Sequence, residues 1–219
     1  MRRYPFHHDG VSSYIYDFLE YFMFFSYRSR FAFVRQVQLT PNDLSEYAFF
    51  DTTRRYTRNL ISTDHQTYTL LLLCWNPYQE SPIHNHPCDG CFLRVIQGQI
   101  RECRYREATS ATGALSSLVY HESTSTQQNE SRATNQSTRS LLECTHDSVF
   151  EAGQLTFIDD TQGYHKVGPV GKTPAITLHL YTPPFQECRT WADPPSSDEP
   201  SVNYFLWSMQ RYGSLVKWY

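Results

Sequence analysis

The sequence lacks the features that mark a nucleic-acid-binding or membrane protein. Its 219 residues carry a formal net charge of −3, so the chain has no positive field that would attract a polyanion. No run of Lys and Arg is long enough to form a membrane-surface patch. The aromatic stretch 14–25 is interrupted by Asp17 and Glu20, is too short to span a bilayer and precedes no small-residue cleavage site. We therefore predict no nucleic-acid partner, no membrane span and no secretion signal.

Cysteine is also scarce. The chain has six cysteines, which are too few and too scattered to cross-link a protein of this length into a disulfide framework. They are Cys74, Cys88, Cys91, Cys103, Cys144 and Cys188. We predict that most of them are reduced thiols, as in a cytoplasmic protein.

Aromatic residues, by contrast, are abundant. The 16 Tyr and 14 Phe, together with strand-like segments from Tyr56 onward, favour a β-rich fold over a helical bundle. The length is ordinary for a single β-barrel domain. Thr40 and Pro41 suit the N-cap and the first position of a helix, so a short helix is predicted to run from there to about Phe50.

Two segments differ from the rest of the chain. Residues 1–39 are aromatic and irregular, and we predict that they form a small N-terminal helical cover packed on the barrel. Residues 107–141 are rich in Ser, Thr, Asn and Gln and cannot bury enough apolar surface to offset the ordering of their backbone. We predict that this insertion is a long exposed hairpin loop within a domain spanning residues 40–219, and that the barrel resumes near Ser148.

Two histidines one residue apart, His84 and His86, are the first candidates for chemistry. On an extended strand both side chains project from the same face, where two neutral imidazoles can bind one iron, zinc, copper or nickel ion. Surface histidines at this spacing are also common, so the pair alone leaves metal binding open. The apolar run that follows predicts a strand that closes on a tight turn at Gly98.

The surroundings of this pair resemble the first motif of the cupin barrels and, within them, the cysteine dioxygenase family. Cys91 and Gly98 follow at the cupin spacing, with Cys91 in the place of the usual acidic residue. Further segments resemble the family in the right order between Pro41 and Cys188, interrupted by the insertion. These are Tyr56-Thr57-Arg58-Asn59-Leu60, Leu73-Cys74-Trp75, Ser81-Pro82-Ile83, Gly163-Tyr164-His165, Thr177-Leu178-His179-Leu180-Tyr181 and Pro183-Pro184-Phe185.

The resemblance implies a mainly β fold, a cupin (jelly-roll-like) barrel. It also implies that His84, His86 and His165 bind Fe(II) as a three-histidine site without a protein carboxylate. Three ligands on one face leave open positions, as an oxygenase requires. Taken alone, a histidine on a Gly-rich turn such as His165 would equally suit a solvent-facing or hydrogen-bonded side chain.

The resemblance also assigns the substrate-binding residues. Arg58, with Tyr56 beside it, would bind the substrate carboxylate, because a planar guanidinium makes paired bonds to a carboxylate. The alternative is an arginine on the barrel surface, which is our interpretation of the neighbouring Arg54 and Arg55.

A thioether bond between Cys91 and Tyr181 is the most unusual implication of the resemblance. It would hold the Tyr181 phenol near the iron, and His179 would orient that phenol as a further catalytic residue. A plain half-buried strand would show the same alternation of side chains. The family usually has a serine where Thr177 stands, and a threonine hydroxyl can make the same hydrogen bond. Cys88 is an alternative partner for the bond, but the motif spacing favours Cys91.

The function that follows from the resemblance is the oxidation of L-cysteine by O2 to cysteine sulfinic acid at a mononuclear iron centre. One alternative is a dioxygenase of another small carboxylate-bearing thiol such as 3-mercaptopropionate, because Arg58 argues against cysteamine. The other alternative is a non-catalytic cupin that binds a metal. We expect a cytoplasmic monomer.

Overall fold

The computed structural model describes the central part of the chain together with three short segments near its end. Side chains and backbone are described for Val34, 39–108 and 142–191, and the backbone alone for 201–204, 208–211 and 214–217. The predicted N-terminal cover, residues 1–39, lies outside the described residues except for Val34 and Leu39. Most of the 107–141 insertion also lies outside them. No helix in the described part of the chain is long and apolar enough to cross a membrane.

The prediction of a mainly β fold is confirmed. Thirteen strands are seen among the described residues. They are β1 (Tyr56–Thr63), β2 (Thr69–Trp75), β3 (Ile83–His84), β4 (Cys91–Gln97), β5 (Gln99–Glu107), β6 (Leu142–Glu151), β7 (Leu155–Ile158), β8 (Tyr164–Pro169), β9 (Ala175–Tyr181), β10 (Glu187–Trp191), β11 (Ser201–Tyr204), β12 (Ser208–Arg211) and β13 (Ser214–Lys217).

These strands form two sheets. Within the described ranges, one sheet has the order β13-β12-β1-β2-β9-β4-β7 and the other the order β11-β10-β3-β8-β5-β6. The pairings are antiparallel except for the contact of β1 with β12, which is parallel. Consecutive strands therefore fall in different sheets at several points, as in a jelly-roll-like barrel.

The apolar residues of β2 explain how the sheets are stacked. All seven residues of this strand are buried, so it lacks the alternation of a strand with one wet face. Leu70 and Leu72 pack in a cluster with Val34 and Leu44 on one face of the sheet. Leu71 and Leu73 pack on the other face, in a cluster that also includes residues of β5, β8 and β10 from the second sheet. The second cluster is therefore the core between the two sheets.

The helix predicted from Thr40 to about Phe50 is wrong in type and length. Within this segment a 3-10 helix, Asn42–Leu44, is present, and Thr40 donates to Asp43 through its backbone N (2.7 Å) and its hydroxyl (2.8 Å) rather than capping a longer helix. The chain then extends, because the carbonyl of Phe49 accepts hydrogen bonds from side chains of β1 instead of from a following helical turn. The segment covers the outer face of the first sheet without forming the longer helix that we predicted.

The strand that follows the insertion begins earlier than predicted. We placed the return to the barrel near Ser148, whereas β6 begins at Leu142 and pairs with β5 from Glu107↔Leu142 to Gln99↔Glu151. The first half of β6 is polar and mostly exposed, so no apolar pattern marks it. Backbone pairing with β5 holds it in place. The insertion therefore connects the ends of two paired strands, as a hairpin loop does.

Candidate metal centre

Three histidines from distant parts of the chain meet inside the barrel. His84 lies on β3 directly opposite His165 on β8, and His86 lies two residues beyond His84. The distances between ring centroids are 4.9 Å for His84 and His86 and 4.7 Å for each of the other two pairs. One nitrogen from each ring lies within 4.8 Å of the others, and all three rings are buried. This arrangement suits three ligands on one face of a metal ion.

Hydrogen bonds to two of the rings show which nitrogen of each ring can bind a metal ion. Nδ1 of His84 lies 3.0 Å from the carbonyl oxygen of Pro82, and Nδ1 of His165 lies 2.7 Å from Oε1 of Glu102. Both partners only accept, so Nδ1 carries the proton in each ring and Nε2 keeps its lone pair. Neither ring nitrogen of His86 has a hydrogen-bond partner among the described residues. A buried nitrogen without a partner is costly, and a metal ion would satisfy it.

The electrostatics of the cluster keep the rings in the metal-binding form. Burial lowers the pKa of His84 to about 4. Burial also lowers the pKa values of His86 and His165 well below the usual range, and the neighbouring imidazoles add to the effect. All three rings are therefore neutral near pH 7, and neutral imidazole is the form that binds a metal.

A side-chain clamp fixes the loop between the first two histidines. Asp160 accepts hydrogen bonds from the side-chain amide of Asn85 (2.9 Å) and the backbone N of His86 (2.5 Å). The side-chain oxygen of Asn85 in turn accepts from the backbone N of Arg189 at 2.7 Å. The clamp thus joins the His84–His86 loop to the turn that precedes His165. We did not identify Asp160 from the sequence, where it stands in an ordinary polar turn.

Gly163 is required by the backbone at the start of β8. Its φ is +110°, and a Cβ at this position would lie 2.3 Å from the carbonyl oxygen of Tyr105. Only glycine suits both conditions. The close approach of β8 to β5 at this point brings His165 opposite Arg104 and next to Glu102.

Arg58 lies on β1 beside the aromatic side chain that we grouped with it. Its Nη2 donates to the hydroxyl of Tyr56 at 2.8 Å, and its guanidinium carbon is 4.9 Å from the centre of that ring. Tyr56 in turn stacks on Trp75, with a centroid distance of 4.4 Å. Burial is the largest cause that lowers the pKa of His179, and the positive charge of Arg58 also contributes. Arg58 is therefore held in a defined position on the side of the site that contains His179.

Cys91 and Tyr181 lie directly opposite one another on the neighbouring strands β4 and β9. His179 lies between them, with its Nδ1 3.6 Å from Sγ of Cys91 and 3.3 Å from the hydroxyl of Tyr181. On its other side, Nε2 of His179 lies 2.8 Å from the hydroxyl of Thr177, which also accepts from Nε1 of Trp75 at 2.8 Å. Thr177 thus makes the hydrogen bond to His179 that we expected of its hydroxyl.

Burial also fixes the protonation of this second group. It raises the pKa values of Cys91 and Tyr181 well above their usual ranges, so both are protonated near pH 7. Cys88, the alternative partner for the thioether, is half-buried, and its Sγ donates to the carbonyl oxygen of Gly90 at 3.5 Å. It precedes β4 and is not paired in the sheet with Tyr181, whereas Cys91 is.

Phe185 connects the tyrosine to the three histidines. Its ring lies 5.2 Å from that of Tyr181 and 6.2 Å from that of His86, edge-on to both. The rings of His86 and Tyr181 are themselves 6.2 Å apart and nearly parallel. We gave Phe185 no role from the sequence. The three histidines and the Cys91–Tyr181 pair thus belong to one site.

Comparisons with known proteins agree with this geometry. Residues 31–193 match the family described as cysteine dioxygenase type I. The chain is 32% identical over 177 residues to cysteine dioxygenase type 1 of Danio rerio. This match covers 80% of the present chain and 73% of the Danio rerio protein. It is 29% identical over 161 residues to cysteine dioxygenase type 1 of Homo sapiens, and this second match covers 73% of the present chain and 66% of the human protein.

A solved structure shows a weaker likeness. It is a conserved protein with a double-stranded β-helix domain from Klebsiella pneumoniae, 14% identical, with a TM-score of 0.40, covering 68% of this chain and 84% of that one. The sequence matches are the stronger finding. On those matches, the chain belongs to the cysteine dioxygenase type I family.

Proposed function

We propose that the protein uses iron and O2 to oxidise L-cysteine to cysteine sulfinic acid, with His84, His86 and His165 as the metal ligands. The observation that carries the proposal is the convergence of three buried, neutral imidazoles, one of which has no other partner among the described residues. Family membership favours iron among the metals that imidazole can bind. When bound, the iron would supply the redox chemistry and the open positions at which thiol and O2 react.

Arg58 would orient the substrate through its carboxylate. Tyr56 donates no charge of its own but holds the guanidinium by one hydrogen bond and lies against its face, and a planar guanidinium can make paired bonds to a carboxylate. An oriented substrate needs less reorganisation to reach the reactive geometry. In this proposal Arg58 selects for thiols that also carry a carboxylate.

His179 would set the direction of the hydrogen bond to Tyr181. Nε1 of Trp75 can only donate, so the hydroxyl of Thr177 accepts from it and is able to donate to Nε2 of His179. The proton of neutral His179 then lies on Nδ1, which faces the Tyr181 hydroxyl oxygen. Tyr181 would thus accept a hydrogen bond from His179 at its hydroxyl oxygen.

The thioether between Cys91 and Tyr181 would hold this phenol in place. The opposed positions on β4 and β9 and the shared contact with His179 support the bond. The proposal extends to a cytoplasmic monomer in which residues 40–219 form one barrel domain.

Oxygen uptake by the iron-loaded protein tests this function. We expect uptake that depends on both iron and L-cysteine, with weaker uptake for cysteamine, which has no carboxylate. A higher specificity constant for 3-mercaptopropionate than for cysteine would assign the alternative substrate. Stoichiometric iron with no thiol-dependent uptake would instead indicate a non-catalytic metal-binding cupin.

A further inference from the structure

Glu102 is a charged side chain that is completely buried beside the candidate metal centre. It lies on β5 with no solvent exposure, and all its described partners are hydrogen-bond donors. Oε1 accepts from Nδ1 of His165 at 2.7 Å, while Oε2 accepts from Nη2 of Arg104 at 3.0 Å and from the hydroxyl of Thr156 at 2.9 Å. Burying a carboxylate is unfavourable unless its hydrogen-bond partners offset the loss of hydration. An apolar residue would fill the same space without that cost.

The sheet register places this carboxylate behind one of the three histidines. Arg104 lies opposite His165 in the pairing of β5 with β8, and Glu102 precedes Arg104 by two residues on the same face. The bond from Glu102 therefore reaches the edge of the His165 ring that carries Nδ1. Nε2, on the other side of the ring, is directed away from Glu102.

The three histidines differ in the hydrogen-bond partners of their rings. His84 is backed by a neutral backbone carbonyl, and His86 has no hydrogen-bond partner among the described residues. Among the described contacts, only His165 of the three is hydrogen-bonded to a carboxylate. A carboxylate behind a ligating imidazole fixes its tautomer and makes its other nitrogen more basic. It also brings negative charge to a ligand set that contains none of its own.

We propose that Glu102 is a positioning residue of the metal centre, which holds Nε2 of His165 toward the ion and supplies, one hydrogen bond away, the negative charge that three histidines lack. Arg104 opposes that charge on the other carboxylate oxygen, which also accepts a hydrogen bond from the hydroxyl of Thr156. The inference rests on the metal site of the proposed function and not on its substrate.

Metal affinity and reduction potential, measured without substrate, test the proposal. Glu102→Gln keeps the shape and an acceptor for His165 but removes the charge. It should weaken binding of Fe(II) alone, under anaerobic conditions, by about 10- to 100-fold. It should also shift the iron reduction potential to a more positive value, because a nearby negative charge stabilises ferric over ferrous iron.

Two control variants separate this role from a structural one. Thr156→Val removes a donor to Oε2 and keeps the charge, so it should lower stability with little change in affinity or potential. Arg104→Gln removes the opposing positive charge and should shift the potential to a more negative value. Wild-type affinity and potential in Glu102→Gln would overturn the proposal, as would equal effects of Glu102→Gln and Thr156→Val.

A measurement on the unaltered protein covers the case in which Glu102→Gln does not fold. In protein loaded with Zn(II), histidine nitrogen–proton correlation spectra should show a proton on Nδ1 of His165 and none on its Nε2. A proton on Nε2 would overturn the proposal. Failure of the protein to oxidise cysteine, with these results intact, would refute the proposed function and leave the role of Glu102 standing.

Discussion

Replacing Arg58 with alanine should change the substrate selectivity of the protein more than its fold. Arg58 lies partly exposed on β1, where Tyr56 holds it by one hydrogen bond and one face contact. Loss of a charge-assisted pair costs about 2–5 kcal/mol when the partner is left buried. Because the side chain is only partly buried, we expect the lower part of that range, about 2–3 kcal/mol. At 1.4 kcal/mol for each factor of ten, this is a loss of roughly 30- to 150-fold in kcat/KM for L-cysteine.

The assay compares L-cysteine with cysteamine in the wild-type protein and in two variants. Arg58→Ala should lose far more activity toward cysteine than toward cysteamine, because only cysteine has a carboxylate to pair with the guanidinium. Arg54→Ala is the matched control, since Arg54 is 58% exposed and pairs with Asp51 at 3.2 Å. It should behave as the wild type toward both thiols. Equal losses for the two thiols in Arg58→Ala would show that Arg58 is structural and would refute the reasoning.

Three further predictions concern the metal ligands and the cross-link. His165→Ala should remove most of the bound iron, since two ligands on one loop then remain, and full iron occupancy by metal analysis would contradict the triad. Cys91→Ala should abolish the loss of two hydrogen atoms that a thioether causes, as seen by peptide mass mapping after turnover, yet keep some activity. Tyr181→Phe should damage activity more, and a linked peptide without Cys91 would refute the assignment. The stability of the metal-free protein, measured by urea unfolding, should fall as the pH is lowered from about 7 to 5. The pKa of His84 is about 4 in the folded protein and 6.5 in the unfolded chain, so the unfolded chain binds more protons in this pH range. A flat profile would contradict the buried neutral cluster.

The sequence predicted the parts of the site that depend on strand periodicity. His84 and His86 lie two residues apart, and their rings do converge in the site. The strand β2 was predictable because its apolar run is continuous, and β9 because Thr177 and His179 alternate with apolar residues. These features depend on local patterns that a sequence displays directly.

The parts that were not predicted depend on contacts between distant residues. Glu102 lies in an alternating strand with polar neighbours, and only the register of β5 against β8 shows that it is buried beside His165. Asp160 appears in an ordinary turn, and its bond to the backbone of His86 crosses 74 residues of sequence. The first half of β6 is polar, so its pairing with β5 left no apolar signal. The helix predicted after Thr40 failed because tertiary hydrogen bonds to Phe49 outweighed the local capping pattern.

The most direct test of the central claim is the mass of the product formed from L-cysteine under isotopically labelled O2. The iron-loaded protein should convert cysteine to cysteine sulfinic acid in which both sulfinate oxygen atoms carry the label. The His165→Ala variant should form no product above the rate of free iron. Product with label in one oxygen atom or in neither, or cystine as the only product, would contradict the assignment of a dioxygenase to this three-histidine site.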